Sequence, residues 1–261
     1  MTGPDPGDRK ASASDPAVLK LGGSVVTEKD APETVAEGHL ARAARALGAA
    51  GTGGDRGLVV VHGGGSFGHH HASAHGVSRT SGTRDPAAVR EVHAAMRRLN
   101  GAVVDALAAE GVPAVPVAPL SVAARADDGA LALPLESTRT ALGEGFVPVL
   151  HGDVVAHEGR GATIISGDEL VVALARGLAA DRVGLCSAVP GVLDEDGEGV
   201  ETIREFEAVA DAVGASDATD VTGGMAAKVE ELLALDVPAS IFDLDSLPAF
   251  LAGERAGTRI E

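Results

Sequence analysis

The sequence predicts an α/β fold, a three-layer αβα sandwich around a mostly parallel central sheet. Strand-like and helix-like segments alternate along most of its 261 residues. The run LVVVH at 58–62 is continuously apolar, the pattern of a strand buried on both faces. Residues 33–50 instead repeat with helical period, placing Val35, Leu40, Ala43, Ala44 and Leu47 on one face. The length suits one α/β domain or two tightly joined lobes.

The elements follow in order. Residues 1–15, rich in Pro, Gly, Ser and Asp, read as a disordered arm. Residues 17–21 form the first strand, 33–50 a helix, 51–57 a loop and 58–62 a strand, with a Gly-rich turn leading to a helical start near Ser66. Asp85-Pro86 is an N-cap with proline at the first helical position. It opens a helix to about Glu110 with Val89, Val92, Met96, Leu99, Val103 and Leu107 on one side. A strand at 112–117, a short helix at 137–142 and a strand at 147–151 follow, with hairpin turns at Asp127-Asp128-Gly129 and Glu158-Gly159. The second half opens with a strand at 162–166, a helix over 168–179 and a strand at 182–188. Helices at 204–213 and 224–235, a strand at 239–244, a short helix from Ser246 and a closing extended GTRI complete the chain.

Composition narrows the partners. A net charge of −17 argues against nucleic acid and anionic membrane surfaces. No apolar stretch approaches the roughly 18 residues of a membrane span. The N-terminus lacks the apolar core of a secretory signal. The single cysteine, Cys186, fits a reducing cytoplasm and reads as a small buried hydrophobe. Only Lys10, Lys20, Lys29 and Lys228 are lysines. Scarce lysine with abundant Asp and Glu fits a surface built for high salt, and a GC-rich genome gives the same bias. Three of the four lysines fall within motifs. A compact ammonium at a phosphate is not interchangeable with arginine, so their retention has a chemical meaning.

Five motifs carry chemistry. Lys20-Leu21-Gly22-Gly23-Ser24 follows a strand, and its glycines let backbone N–H groups approach an anion. A tight turn is the competing reading, and a Walker A order is absent. His62-Gly63-Gly64-Gly65-Ser66-Phe67-Gly68-His69 forms an anion-binding nest entering a helix. In His69-His70-His71, adjacent side chains diverge, so a shared metal is poor geometry and no metal-binding residues are assigned. Gly152-Asp153 follows the strand at 147–151, and Ser166-Gly167-Asp168 enters a helix, where an N-cap role for Asp168 competes. Thr222-Gly223-Gly224-Met225, with Lys228 one turn on, sets a second positive group at a helix N-terminus.

In this order and spacing, the five motifs resemble the amino-acid-kinase superfamily, and within it most of all the isopentenyl phosphate kinases. Thr27-Glu28-Lys29, Gly76-Val77 and Thr80-Ser81-Gly82 strengthen the likeness, which covers about residues 16–261. It implies the amino-acid-kinase fold, with an acceptor-binding lobe at about 16–160 and a nucleotide-binding lobe at about 161–261. It implies ATP-dependent phosphorylation of isopentenyl phosphate to isopentenyl diphosphate, a step of isoprenoid biosynthesis by an alternative mevalonate route. Lys20, Lys29, His69, Asp168 and Lys228 would be the catalytic group. ATP would lie against Lys20, Gly22, Gly23, Ser24, Gly64, Ser187, Gly191, Gly224 and Lys228. The acceptor would lie against Gly63, Gly68, His69, Gly152 and Asp153, with Mg²⁺ held by the ATP phosphates and water. The nucleotide loop departs from the family's Asp-Gly-Val/Ile-Tyr-Asp, reading Pro190-Gly191-Val192-Leu193-Asp194.

The residues agree with such chemistry. A phosphate monoester is mostly dianionic at neutral pH, with a second pKa of about 6, so it needs relief of charge repulsion rather than a general base. Val92, Ala95, Met96 and Leu99 would line a pocket for its organic tail, although such a stripe also reads as plain core. Two readings compete: a same-fold kinase for fosfomycin or for an amino-acid carboxylate, the carboxylate being the substrate that Arg79 or Arg84 could anchor, and a non-catalytic nucleotide-binding protein. A homodimer is expected by analogy with the fold.

Overall fold

The computed structural model describes residues 14–52, 56–194, 196–210 and 224–261. Most of the expected arm and the pair Thr222-Gly223 lie outside them. Strand β1 (Ser14–Leu21) begins three residues before its expected start, because Ser14 pairs with Arg56 across an irregularity that ends at Ala17. Beside it run β2 (Arg56–His62) and β9 (Arg182–Ser187), both parallel to β1. Adding β3 (Ala114–Pro116), β6 (Val147–His151), β10 (Thr202–Ile203), β11 (Ala239–Asp243) and β12 (Thr258–Ile260) gives an eight-stranded sheet, ordered β10-β12-β11-β9-β1-β2-β6-β3. Its pairings are parallel except β11 with β12.

Alternation along the strands fills two cores. Leu19, Leu21, Leu58 and Val60 face one side, against α2 (Glu37–Ala49), α4 (Pro86–Ala109) and α9 (Leu247–Ala252). Val18, Val59 and Val61 face the other, against α7 (Gly167–Leu178) and α8 (Gly224–Leu233). Helices therefore cover both faces of the sheet, as the apolar runs imply. Cys186 packs in the first core, where burial pushes its thiol pKa up to about 12.

Several local expectations hold. Asp85 caps α4, accepting from the Ala87 N–H at 2.8 Å, with Pro86 at the first helical position. Both hairpin turns close antiparallel pairs. The first joins β4 (Ala124–Arg125) to β5 (Leu131–Ala132), and the second joins β7 (Asp153–His157) to β8 (Gly161–Ile165). α6 (Glu136–Gly143) matches the short helix.

Others differ. β8 does not open a second half of the main sheet: it belongs to a separate four-stranded sheet, β5-β4-β7-β8. The expected lobe boundary thus falls at a hairpin tip. The helix expected from 33 begins at Glu37, because residues 28–34 form a loop closed by the Thr27–Val35 bridge. Over 204–210 only a single 3-10 turn, Phe206–Ala208, precedes one helical residue, and 211–213 lie outside the described residues. Two one-turn helices, α1 (Gly23–Val26) and α5 (Pro119–Val122), have no counterpart among the expected elements.

Candidate active site

After β1 the chain builds outward through β2 and β6 on one side, then returns to lay β9 and β11 on the other. Such a reversal leaves a crevice at the carboxyl ends of the strands, where doubly wound sheets bind ligands. The glycine motifs converge there. Gly22 N–H donates to the Cys186 carbonyl at 2.8 Å, Gly63 N–H to Leu21 at 3.0 Å, and Gly152 N–H to His62 at 3.2 Å. Each loop is thereby fixed by the strand end beside it. A methyl group on Gly23 would lie 2.8 Å from Gly65 Cα, and one on Gly63 would lie 2.8 Å from Gly23 N. The two nests therefore touch main chain to main chain, an approach that only glycine permits. Gly65, at φ +46°, opens α3 (Gly65–Ala74) against Thr27. The N-termini of α3 and α7 both border the crevice, presenting amide N–H groups and the positive ends of their dipoles.

Lys20 lies under these loops. Its ammonium is 2.5 Å from Asp168 Oδ1, with both side chains nearly buried. A Cβ on Gly167 would come within 3.2 Å of Lys20 Cε, so a glycine at the start of α7 admits the lysine. The N-cap reading of Asp168 is corrected here. Ser166 is the N-cap, accepting from Glu169 N–H at 3.1 Å, while Glu169 Oε2 accepts from Ser166 N–H at 3.0 Å. Ser-x-x-Glu is a capping box already visible in the sequence, and it frees Asp168 to hold Lys20. Helix α8 packs on α7, and Lys228 Nζ turns back to the Gly224 carbonyl at 2.9 Å, toward the start of its helix. Glu231, one turn further on, faces the same region. Burial, with Asp168 and Glu169 nearby, pushes its carboxyl pKa up, and Arg79 and Lys20 partly oppose this.

The remaining expected residues sit as follows. Ser24 is in α1, directly after the Gly22-Gly23 turn. Gly64 and Gly68 pack together, with the Met96 sulfur against both. His69 is exposed on the second turn of α3, and Lys29 is exposed in the 28–34 loop beside it. His70 and His71 meet edge-on at 5.2 Å and diverge, His71 turning to Glu33. Ser187 adjoins Gly22. Gly191 lies against Thr258, whose hydroxyl accepts from Val192 N–H at 2.8 Å, so the 187–194 loop is tied to β12. Gly224, at φ +59°, opens α8.

Two expectations need correction. Asp153 is not presented to a ligand: at 1% exposure it accepts from Val154 N–H and lies 2.8 Å from His93 Nδ1. Val92, Ala95, Met96 and Leu99 are all buried against neighbouring elements, so the stripe is core, and only Met96 borders the nest. Beneath the loops, His62 and His151 stack at 5.6 Å, with Asn100 3.1 Å from His62 Nε2. Burial drives the His62 pKa down to about 3 and lowers that of His151. Sequence reasoning also missed Glu33, held by His71 and Arg98, and the pairs of Glu169 with Arg125 and Arg79. These partners are far apart in sequence and leave no local pattern.

A crevice of glycine loops and helix N-termini around a buried lysine is an anion site suited to phosphoryl groups. Residues 15–235 match the amino acid kinase family, and the chain belongs to that family. Within it the chain groups with the isopentenyl phosphate kinases. It is 64% identical over 243 residues to the isopentenyl phosphate kinase of Haloferax volcanii, covering 93% of this chain and 97% of that protein. It is 35% identical to the Methanothermobacter thermautotrophicus enzyme of the same name, covering 93% of this chain and 98% of that one. A solved structure described as an isopentenyl phosphate kinase superposes with a TM-score of 0.77 at 30% identity, over 94% of this chain and all of the other.

Proposed function

We propose that this chain transfers the γ-phosphoryl group of ATP to isopentenyl phosphate, giving isopentenyl diphosphate for isoprenoid biosynthesis. The observation that carries the proposal is the buried Lys20–Asp168 pair beneath two glycine nests in main-chain contact. Two facing phosphates repel, and the chemistry consists mainly of holding them in line and neutralising the charge that spreads between them. In this reading Lys20 and Lys228 meet the ATP phosphates, and Lys29 reaches the moving phosphoryl group. His69, with the amides of Gly63 and Gly68, holds the acceptor phosphate, and Asp168 orients Lys20. Gly22, Gly23, Ser24, Gly64, Ser187, Gly191 and Gly224 line the nucleotide side. Asp168 is occupied by Lys20, so Mg²⁺ would ride on the ATP phosphates and water, where it supplies charge neutralisation. A cytoplasmic homodimer working at high salt, with 16–160 serving the acceptor and 161–261 the nucleotide, belongs to the same proposal.

The carboxylate-substrate alternative has lost its anchors. Arg79 pairs with Glu169 at 3.3 Å and with Glu231 at 3.5 Å, and Arg84 donates to the Gly159 carbonyl. The test is ATP consumption with Mg²⁺ in KCl, comparing isopentenyl phosphate, dimethylallyl phosphate, fosfomycin and N-acetylglutamate. Isopentenyl phosphate is expected to give the highest kcat/KM. Lys228→Ala and His69→Ala should each lower turnover by about 10²–10³-fold in a folded protein. Preference for fosfomycin or N-acetylglutamate would replace the acceptor assignment, and turnover with none of the four would favour a nucleotide-binding protein.

A further inference from the structure

We propose that Glu33 is a positioning residue, clamping the loop that carries Lys29 onto the helix that carries His69. The proposal rests on the roles assigned above to those two residues. The loop's ends are pinned at main-chain level. Thr27 bridges to Val35, Glu28 N–H donates to the Thr34 carbonyl at 2.9 Å, and Ala36 N–H donates to Val26 at 3.1 Å. Thr27 Oγ1 also accepts from Ser66 N–H at 3.0 Å and donates to Gly23 at 2.8 Å, joining the loop's base to both glycine nests. That leaves residues 29–33 as a tip tied at main-chain level only by a long bond, 3.5 Å from Glu33 N–H to the Ser66 carbonyl.

Glu33 fixes the tip. Its Oε1 lies 2.5 Å from His71 Nε2 on α3 and 2.5 Å from Arg98 Nη2 on α4. His71 follows His69 by two residues on the same helix, so the clamp ties the proposed phosphoryl-directed lysine to the element holding the acceptor phosphate. The backbone adds an independent observation. Glu33 has φ +49°, a left-handed conformation that glycine or asparagine adopts more readily than glutamate. Such strain persists where the surroundings require the side chain. Here the required group is the carboxylate between His71 and Arg98. The His71 hydrogen bond, with Arg98, holds it below the usual carboxylate range against a desolvation that works the other way.

A double-mutant cycle tests this on the full chain. Glu33→Gln is expected to lower kcat about tenfold by letting Lys29 drift, with a smaller change in the KM for ATP. Glu33→Asn, which keeps the left-handed backbone but loses the reach, should behave alike. In a Lys29→Ala background Glu33→Gln should change kcat less than about twofold, since its effect passes through Lys29. Thermal melting should place every variant in the folded state at the assay temperature. Equal losses in the two backgrounds, or wild-type kcat in Glu33→Gln, would overturn the proposal while leaving the kinase reading intact. Wild-type activity of Lys29→Ala would instead remove the role of Lys29 on which the clamp depends.

Discussion

The pair Lys20–Asp168 shows how one residue's function constrains its neighbour. An ammonium and a carboxylate this deeply buried are tolerated because each satisfies the other, and removing one leaves an uncompensated charge. Asp168→Ala is therefore expected to destabilise the fold by about 3–5 kcal/mol as well as to slow catalysis. Lys20→Met/Asp168→Leu, which removes both charges, should return stability to within about 2 kcal/mol of wild type while turnover stays lost. Urea melts beside steady-state rates decide it: a double variant as unstable as the single one would mean that packing, not charge, sets the cost. His62 gives a second prediction. In the unfolded chain its imidazole protonates near pH 6.5, and in the fold only near 3. Between these values the unfolded state binds a proton that the folded state refuses. Stability that is complete above pH 6.5 is then lost on acidification, at roughly 1 kcal/mol per pH unit for this group. His151 shifts in the same direction. His62→Gln should flatten the pH dependence of the urea midpoint between pH 6.5 and 4, and an unchanged slope would assign the proton elsewhere.

At the scale of elements, the turns after β1 and β2 are shaped by contact between backbones. Gly63→Ala would push a methyl group to 2.8 Å from Gly23 N, where no flexible side chain can yield. The expected cost is about 1–3 kcal/mol in stability, with turnover falling about 100-fold as the nests separate. Gly38→Ala, in α2 with open space around the added carbon, should instead stabilise by up to about 1 kcal/mol. If Gly63→Ala behaved like Gly38→Ala, the close approach of the loops would carry no function. The same contrast marks what the sequence could reveal. β2, the capped start of α4 and both hairpins were legible because their signals are local: an apolar run, Asp-Pro, and Gly at the turns. The convergence of glycine motifs was legible as anion chemistry. The assignment of β8 to a separate sheet was not, because ATIIS reads alike in either sheet. The Glu33 clamp joins residues 38 and 65 positions apart through a left-handed backbone, and no periodicity encodes that.

Across the whole molecule, charge is the force that composition leaves unbalanced. A net −17 on 26.0 kDa is a self-repulsion that disfavours the compact state, and it grows as salt is removed. Arginine–carboxylate pairs offset part of it locally, Arg204 with Glu261 at the surface and Arg125 with Glu169 in the interior. If the composition reflects a saline cytoplasm rather than genome bias, raising KCl from 0.1 to 2 M should lift the melting temperature by about 5–10 °C. Screening alone also fixes the shape of that rise. The Debye length falls from about 10 Å at 0.1 M to about 3 Å at 1 M, so most of the gain should be complete by 1 M and be equal in KCl and NaCl. Scanning calorimetry across both salts reads this directly. A melting temperature that stays flat would assign the acidic bias to genome composition. A rise that continues steeply beyond 1 M, or that differs between K⁺ and Na⁺, would show that ion binding or hydration of the carboxylate surface, rather than screening, supports the fold.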